Sequence, residues 1–241
     1  MLIQKKGLSK NFIKCMAMFT MFLNHFAHIF LTEGTVLYTI FVDIGYFTAI
    51  TMCYFLAEGY RYTHSKKKYA LRLLIFGIIT QIPYLYAFHY LQFNMMFTLL
   101  FCLCFLWVDD TKLNIYVKNL IKVLLVIVCY FSDWSVFALF FTWLFYKSYG
   151  IKSEIKKSYI ICIVIYLINN YVAFIDIYSP IKALSMSVGA TLGLVVSAII
   201  IIYFYDSEQS YKNRKIMKYL FYWFYPVNII LLLLIKSFIA V

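Results

Sequence analysis

The sequence predicts an all-α polytopic membrane protein of about nine transmembrane helices, its N-terminus inside and its C-terminus outside. Composition is the first reason. Of 241 residues, 64% are hydrophobic and 21% aromatic, only 13% are charged, and the mean hydropathy is +0.83. A soluble domain carries roughly a quarter charged residues. Pattern is the second reason. Apolar runs close to the ~20 residues needed to cross a bilayer as a helix recur along the chain, without the alternation a membrane β-barrel requires. The third is the placement of basic residues, which cluster in every second loop.

The expected spans are 12–31, 36–57, 70–88, 93–108, 117–131, 134–149, 159–175, 181–205 and 218–239. The first follows a basic stretch. Its apolar run is longer than a signal-peptide core and lacks a small-residue cleavage site, so it reads as a span. Spans five and six are the shortest, and Phe131-Ser132-Asp133-Trp134 between them is enough only for a tight hairpin. No Pro-rich, Gly-rich or low-complexity segment interrupts the series, which reads as a single domain over 1–241.

Charge sets the orientation. Counting from an inside N-terminus, all of the 22 basic residues except Lys182 and Lys236 fall at inner ends or in inner loops. The positive-inside rule then places the N-terminus in the cytoplasm of a plasma-membrane protein. Topology thereby accounts for the net charge of +12, and nucleic acid is not an expected partner. Membrane lipids are. The six cysteines lie in or beside apolar runs and read as small hydrophobes. Cys102 and Cys104 stand about 200° apart around a helix, which disfavours a shared metal or disulfide. No metal is expected.

His25 is the most informative single residue. It lies in the first apolar run beside Asn24, and the only other ionisable residue there besides Lys14 at its start is His28. An ionisable side chain within a span is a functional-site hypothesis, and imidazole exchanges protons near neutral pH. Asp43 is its expected partner. At ~1.5 Å per residue both lie roughly 9–11 Å inside the outer boundary, on helices joined by a short loop. Two alternatives stay open: Asp43 orients the imidazole, or it faces the outer interface. Asn94 and Asp133 also fall near outer boundaries, where either suits an acceptor or an oxyanion; Asn94 equally suits a helix cap. At the inner end, Glu58, Arg61, His64, Lys66, Lys67, Lys68 and Arg72 flank span two. Such a basic loop suits ligand phosphates or anionic lipid headgroups.

Several blocks together resemble the TraX family, whose namesake acetylates the N-terminus of a conjugative pilin. They are Ala17 to His25, Ala57 to His64, Lys66 to Tyr69 with Arg72-Leu73-Leu74, Gln81 to Tyr84, Asn94 to Leu100, and Lys218 to Pro226. The resemblance departs from the family pattern at Asn24, usually Asp; at Tyr46 and Ile50, usually Arg and a nearby Pro; and at Asn228, usually His. More distantly the family resembles membrane acyltransferases that use acetyl-CoA and a histidine in an early helix. The resemblance implies an acetyl-CoA-dependent acyltransferase. It implies His25 as the catalytic histidine and Glu58, Arg61 and Arg72 around CoA; depth adds Asp43 as the partner of His25, and the basic loop adds Lys66 and Lys67 around the ligand. Asn24, Asn94 and Asp133 are then expected near the acceptor or the oxyanion. The acceptor is expected to be an exported peptide amine or a cell-surface glycan. The alternative is a non-catalytic transporter or assembly partner, which the departures at Asn24, Tyr46 and Asn228 favour.

Overall fold

A computed structural model describes residues 7–89, 91–206 and 214–239, with the side chains of 214–216 left undescribed. Lys5, Lys6 and Lys212 of the basic tally lie outside the described residues, and Arg214 and Lys215 are described in backbone only. Among the described residues there are nine α-helices. They are α1 (Lys10–Phe30), α2 (Val36–Tyr62), α3 (Lys66–Phe88), α4 (Met95–Asp109), α5 (Ile115–Tyr130), α6 (Ser135–Ser148), α7 (Lys152–Ile175), α8 (Pro180–Ile199) and α9 (Arg214–Ile239). Each expected span coincides with one of them. By length and composition α2, α3, α7, α9 and α8 with its π-helical extension (Ile200–Phe204) suffice to cross a membrane, five in all; α4 is apolar but shorter.

Polar residues start these helices where the sequence changes character. Ser9, Thr35, Ser65, Asn94 and Asn114 cap α1 to α5, each side-chain oxygen accepting from a backbone amide in the first turn. The caps supply acceptors for amides that a helix itself leaves unpaired. Pro83 in α3 and Pro226 in α9 each remove one amide from the helical ladder.

The centre of the bundle is α2, buried on several sides and packed on α1, α6 and α8. Small residues permit this. A β-carbon at Gly45 would lie 2.5 Å from the Asn24 side chain on α1. One at Gly193 on α8 would lie 2.6 Å from the Phe47 backbone nitrogen. Gly189, one turn earlier on α8, faces the Asp43 carboxylate. Gly189-Ala190-Thr191-Leu192-Gly193 is thus a close-approach stripe of the kind that lets helices pack where lipid supplies no hydrophobic drive. Hydroxyls bridge the same seams. Thr48 donates to the Ala17 carbonyl at 2.6 Å and meets Thr20 at 2.7 Å, while Thr51 meets Ser197 at 2.8 Å.

The helix ends that carry the basic residues gather at one end of the bundle. The strand β1 (Leu8–Ser9) before α1 pairs in parallel with β2 (Tyr205–Asp206) after the α8 extension. Lys10 pairs with Glu58 near the end of α2, and Lys66 at the start of α3 pairs with Asp110 just past α4. Arg61 donates to the Tyr146 carbonyl near the end of α6. Partial burial raises the Asp110 carboxyl, but hydrogen bonds from Lys66 and Tyr60 outweigh it and hold the group below its ordinary range.

At the far end, the segment between α5 and α6 is the expected hairpin. Phe93 donates to the Phe131 carbonyl, Asp133 donates to the Phe93 carbonyl, and Thr98 donates to the Asp133 carbonyl at 2.6 Å. Trp134 and Ser135 are held at φ 58° and 39°, in the left-handed region that costs a non-glycine residue ~1–3 kcal/mol.

Gly193→Ala should destabilise the bundle by ~1–3 kcal/mol, because its new carbon meets backbone rather than a movable side chain. Thermal unfolding of the purified protein in detergent tests this. An unchanged midpoint would mean that α8 can withdraw from α2 at little cost.

Candidate functional site

Two cavities adjoin in the bundle, with four lining residues in common. The one at the far end has a volume of about 390 Å³. From α1 come Asn24, His25 and His28, from α2 Gly45 and Tyr46, from the hairpin Asp133 and Trp134, and from α7 Tyr166, Asn169 and Asn170. Its described lining includes no lysine or arginine. Trp134 stacks on Tyr166 with ring centroids 5.4 Å apart, and Tyr46 meets Tyr166 edge-on at 5.4 Å. The strained hairpin therefore presents an aromatic wall with a carboxylate beside it.

The cavity at the basic end measures about 540 Å³. Lys10, Lys14, Arg72 and Lys218 line it, opposed by Glu58, so its field favours anions. Glu58 is committed to structure: it is 2% exposed, pairs with Lys10 and accepts from the Tyr205 hydroxyl at 2.7 Å. The Arg72 Nε is buried and carries no hydrogen-bond partner. Its guanidinium lies 5.5 Å from the Tyr69 ring and 5.9 Å from that of Tyr222. A buried unpaired guanidinium donor is costly, which suits a group that receives an anionic ligand. Met21, Thr48, Met95 and Tyr225 line both cavities and form the seam between them.

His25 stands beside this seam. It is 7% exposed, with its ring 5.3 Å from Phe88 and 5.6 Å from Tyr225. Its Nδ1 lies 2.8 Å from the Asn228 side-chain nitrogen on α9, while the Asn228 oxygen is buried without a partner. The amide can serve either tautomer. Its NH₂ donates to a bare Nδ1, and turned over, its oxygen accepts from Nδ1–H and leaves Nε2 as the basic nitrogen.

The expected residues divide. His25, Asn24 and Asp133 do line the far cavity. Asp43 does not pair with His25 in this arrangement. Gly45 of α2 faces α1, and two residues of helix turn Asp43 about 200° away, onto Gly189 of α8. Matching depth did not become contact. Asn94 is the α4 cap: its oxygen accepts from Met96 N–H at 2.9 Å, and its amide donates to Gly77 and Gln81. Both amide hydrogens are used, which leaves none for an oxyanion, and Asn94 lines neither cavity. Arg72 and Glu58 line the basic cavity, whereas Arg61, Lys66 and Lys67 line neither. Arg61 bonds the Tyr146 carbonyl at 2.6 Å and lies over the rings of Tyr146 and Tyr149, Lys66 pairs with Asp110, and Lys67 is exposed. His28 accompanies the cavity and meets the Tyr38 hydroxyl at 3.0 Å.

Lys10, Lys14 and Lys218 line the basic cavity without having been expected there, whereas Tyr225 belongs to the closing aromatic block, Tyr219 to Tyr225, that the resemblance placed at a cavity. A signal for the first two was present. Lys10, Lys14, Met18, Met21, His25 and His28 repeat at helical spacing, and every one of them lines a cavity.

The sequence model of one protein family, described as TraX protein, matches residues 9–236. The chain belongs to the TraX family. It is also 26% identical over 239 residues to a protein of Dichelobacter nodosus named "Probable fimbrial assembly protein FimC, serogroup H1", covering 94% of this chain and 95% of that protein. No solved structure matches the chain. Three of the four departures noted in the sequence gather at one place in this TraX protein, and the fourth, Ile50, is buried in the core. Asn24 and Tyr46 line the far cavity, and Asn228 is the partner of His25.

Arg72→Ala and Lys14→Ala should each weaken binding of a polyphosphate ligand by ~1.5–3 kcal/mol, the worth of a charge-assisted hydrogen bond. Arg61→Ala should leave that affinity unchanged and lower thermal stability instead. Calorimetric titration with acetyl-CoA separates the three, and equal losses in all would restore the loop site.

Proposed function

We propose that this TraX protein is an integral-membrane acetyltransferase, moving acetyl from cytosolic acetyl-CoA to an amine or hydroxyl presented on the outer side. One observation carries the reading: a cationic cavity and an uncharged-to-acidic cavity meet beside a buried histidine. The CoA phosphates would lie among Lys10, Lys14, Arg72 and Lys218, with the acetyl end directed toward the seam. The acceptor would enter the far cavity. His25, its Nδ1–H held by the Asn228 carbonyl, would take the acceptor's proton on Nε2 and return it to the leaving thiolate.

Asp133 and the Tyr46, Trp134 and Tyr166 rings favour an amine. A carboxylate beside aromatic faces attracts an ammonium before it is deprotonated for attack. The relative's name, a fimbrial assembly protein, supports a surface-appendage subunit as the acceptor; a glycan amine fits the same chemistry. The non-catalytic alternative, an assembly partner, draws on the cluster of Asn24, Tyr46 and Asn228, neutral groups in place of ionisable ones. Nine membrane crossings, a cytoplasmic basic end and residence in the plasma membrane belong to the same proposal.

His25→Ala should lower acetyl transfer ~10²–10⁴-fold with acetyl-CoA binding retained. Asn228→Leu should lower it less, and Asp43→Asn should leave it near the starting rate because Asp43 faces α8. Transfer of radiolabel from acetyl-CoA into envelope material of inverted membrane vesicles measures all three. Near-normal transfer by His25→Ala would sink the mechanism. For topology, single cysteines replacing Ser153 and Glu33 in a cysteine-free background should differ. An impermeant maleimide added to whole cells should label position 33 and spare 153, and labelling of 153 would reverse the orientation.

A further inference from the structure

The seam between the cavities is where donor and acceptor would have to meet, and its four residues differ in what they can offer. Met21 and Met95 present thioethers. Thr48 has already committed its proton to the Ala17 carbonyl at 2.6 Å. Tyr225 is different. It is 2% exposed, and no group accepts its hydroxyl proton. Its ring packs on His25, centroid to centroid 5.6 Å. Among the described seam residues, the side-chain O–H left free to donate therefore belongs to the ring that packs on the imidazole.

We propose that Tyr225 is a catalytic residue, donating its hydroxyl proton in a hydrogen bond to the thioester carbonyl oxygen as charge develops on it. The inference rests on the acetyltransferase reading. In the addition step the acceptor's nitrogen or oxygen forms a bond to the carbonyl carbon, and the carbonyl π pair moves onto oxygen. His25 takes the acceptor's proton, and Tyr225 holds the oxyanion without giving up its own proton. Collapse re-forms the C=O bond and breaks the C–S bond, and the departing thiolate receives the proton from His25. Nothing is oxidised, and acetyl-CoA and the acceptor are the sole reactants. A donor left unpaired in the resting protein is matched to an oxygen that becomes a strong acceptor only during the reaction, which is how a preorganised oxyanion donor lowers a barrier.

The test is Tyr225→Phe in inverted membrane vesicles supplied with radiolabelled acetyl-CoA, beside calorimetry of the purified protein with acetyl-CoA. Transfer should fall ~10²–10³-fold with affinity for acetyl-CoA unchanged, since only an interaction of the transition state is lost. The melting temperature should not fall, because the hydroxyl removed has no partner in the fold. Replacement of Tyr225 by 3-fluorotyrosine, a more acidic phenol of nearly the same shape, should keep the fold and sustain transfer. Near-normal transfer by Tyr225→Phe, a loss explained by weaker acetyl-CoA binding, or a loss accompanied by destabilisation that fluorotyrosine does not repair would each overturn this inference alone. Absence of transfer in wild-type vesicles would overturn the acetyltransferase reading, and this inference with it.

Discussion

At Gly193 an added β-carbon would lie 2.6 Å from the backbone nitrogen of Phe47, and at Gly45 another would lie 2.5 Å from Asn24. These two close approaches fix how α2 is rotated between α8 and α1. Once Gly45 faces α1, Asp43 must face α8, and Tyr46 turns toward the far cavity. Helix packing in an apolar medium depends on such contacts, because lipid gives helices little reason to associate by hydrophobicity alone. The threonine bridges at Thr48 and Thr51 reinforce the same seams. The site's geometry is thus a consequence of small residues that take no part in its chemistry.

Charge is distributed along the bundle with a purpose beyond orientation. Several cations at the basic end are spent on structure: Arg61 ties α2 to α6, and Lys66 ties α3 to the end of α4. Lys10, Lys14, Arg72 and Lys218 instead border a cavity that holds one carboxylate, Glu58, itself buried and paired with Lys10. In low-dielectric surroundings that imbalance acts strongly on an anionic ligand. The far cavity has the opposite character, with Asp133 and amides along an aromatic wall. Adjoining cavities, one cationic and one faintly acidic, suit the phosphate-bearing donor and amine acceptor of the proposed reaction.

In the proposed reaction the His25–Asn228 contact supplies the base. A carboxylate in place of Asn228 would bias the imidazole toward its charged form. An amide carries no such bias and can hold either neutral tautomer by turning over. Such a pair suits a base that starts neutral in a buried place, where a permanent ion would be expensive. Asn24, Tyr46 and Asn228, where the resemblance leads one to expect Asp, Arg and His, all border His25 or its cavity.

Much of the architecture was legible from residue order. Apolar runs placed the nine helices of the described residues, five of them long enough to cross a membrane, and the hairpin at Phe131–Trp134 followed from the lack of chain for anything longer. One face of α1 was legible too: Lys10, Lys14, Met18, Met21, His25 and His28 fall within about 80° of one another at ~100° per residue. That stripe is the wall of both cavities. Rotation and partnership were not legible. Asp43 and His25 share a depth, which is a distance along a helix, but contact requires facing directions that glycines elsewhere decide. Arg61 and Lys14 are both cations near the same end, yet which one meets a cavity depends on whether Tyr146 or open space stands opposite. Asn228 and His25 are separated by almost the whole chain and meet because α9 packs back on α1. Sequence determined the helices and the faces they carry. Tertiary structure alone decided which faces meet, because that choice belongs to pairs of helices and to no single one of them.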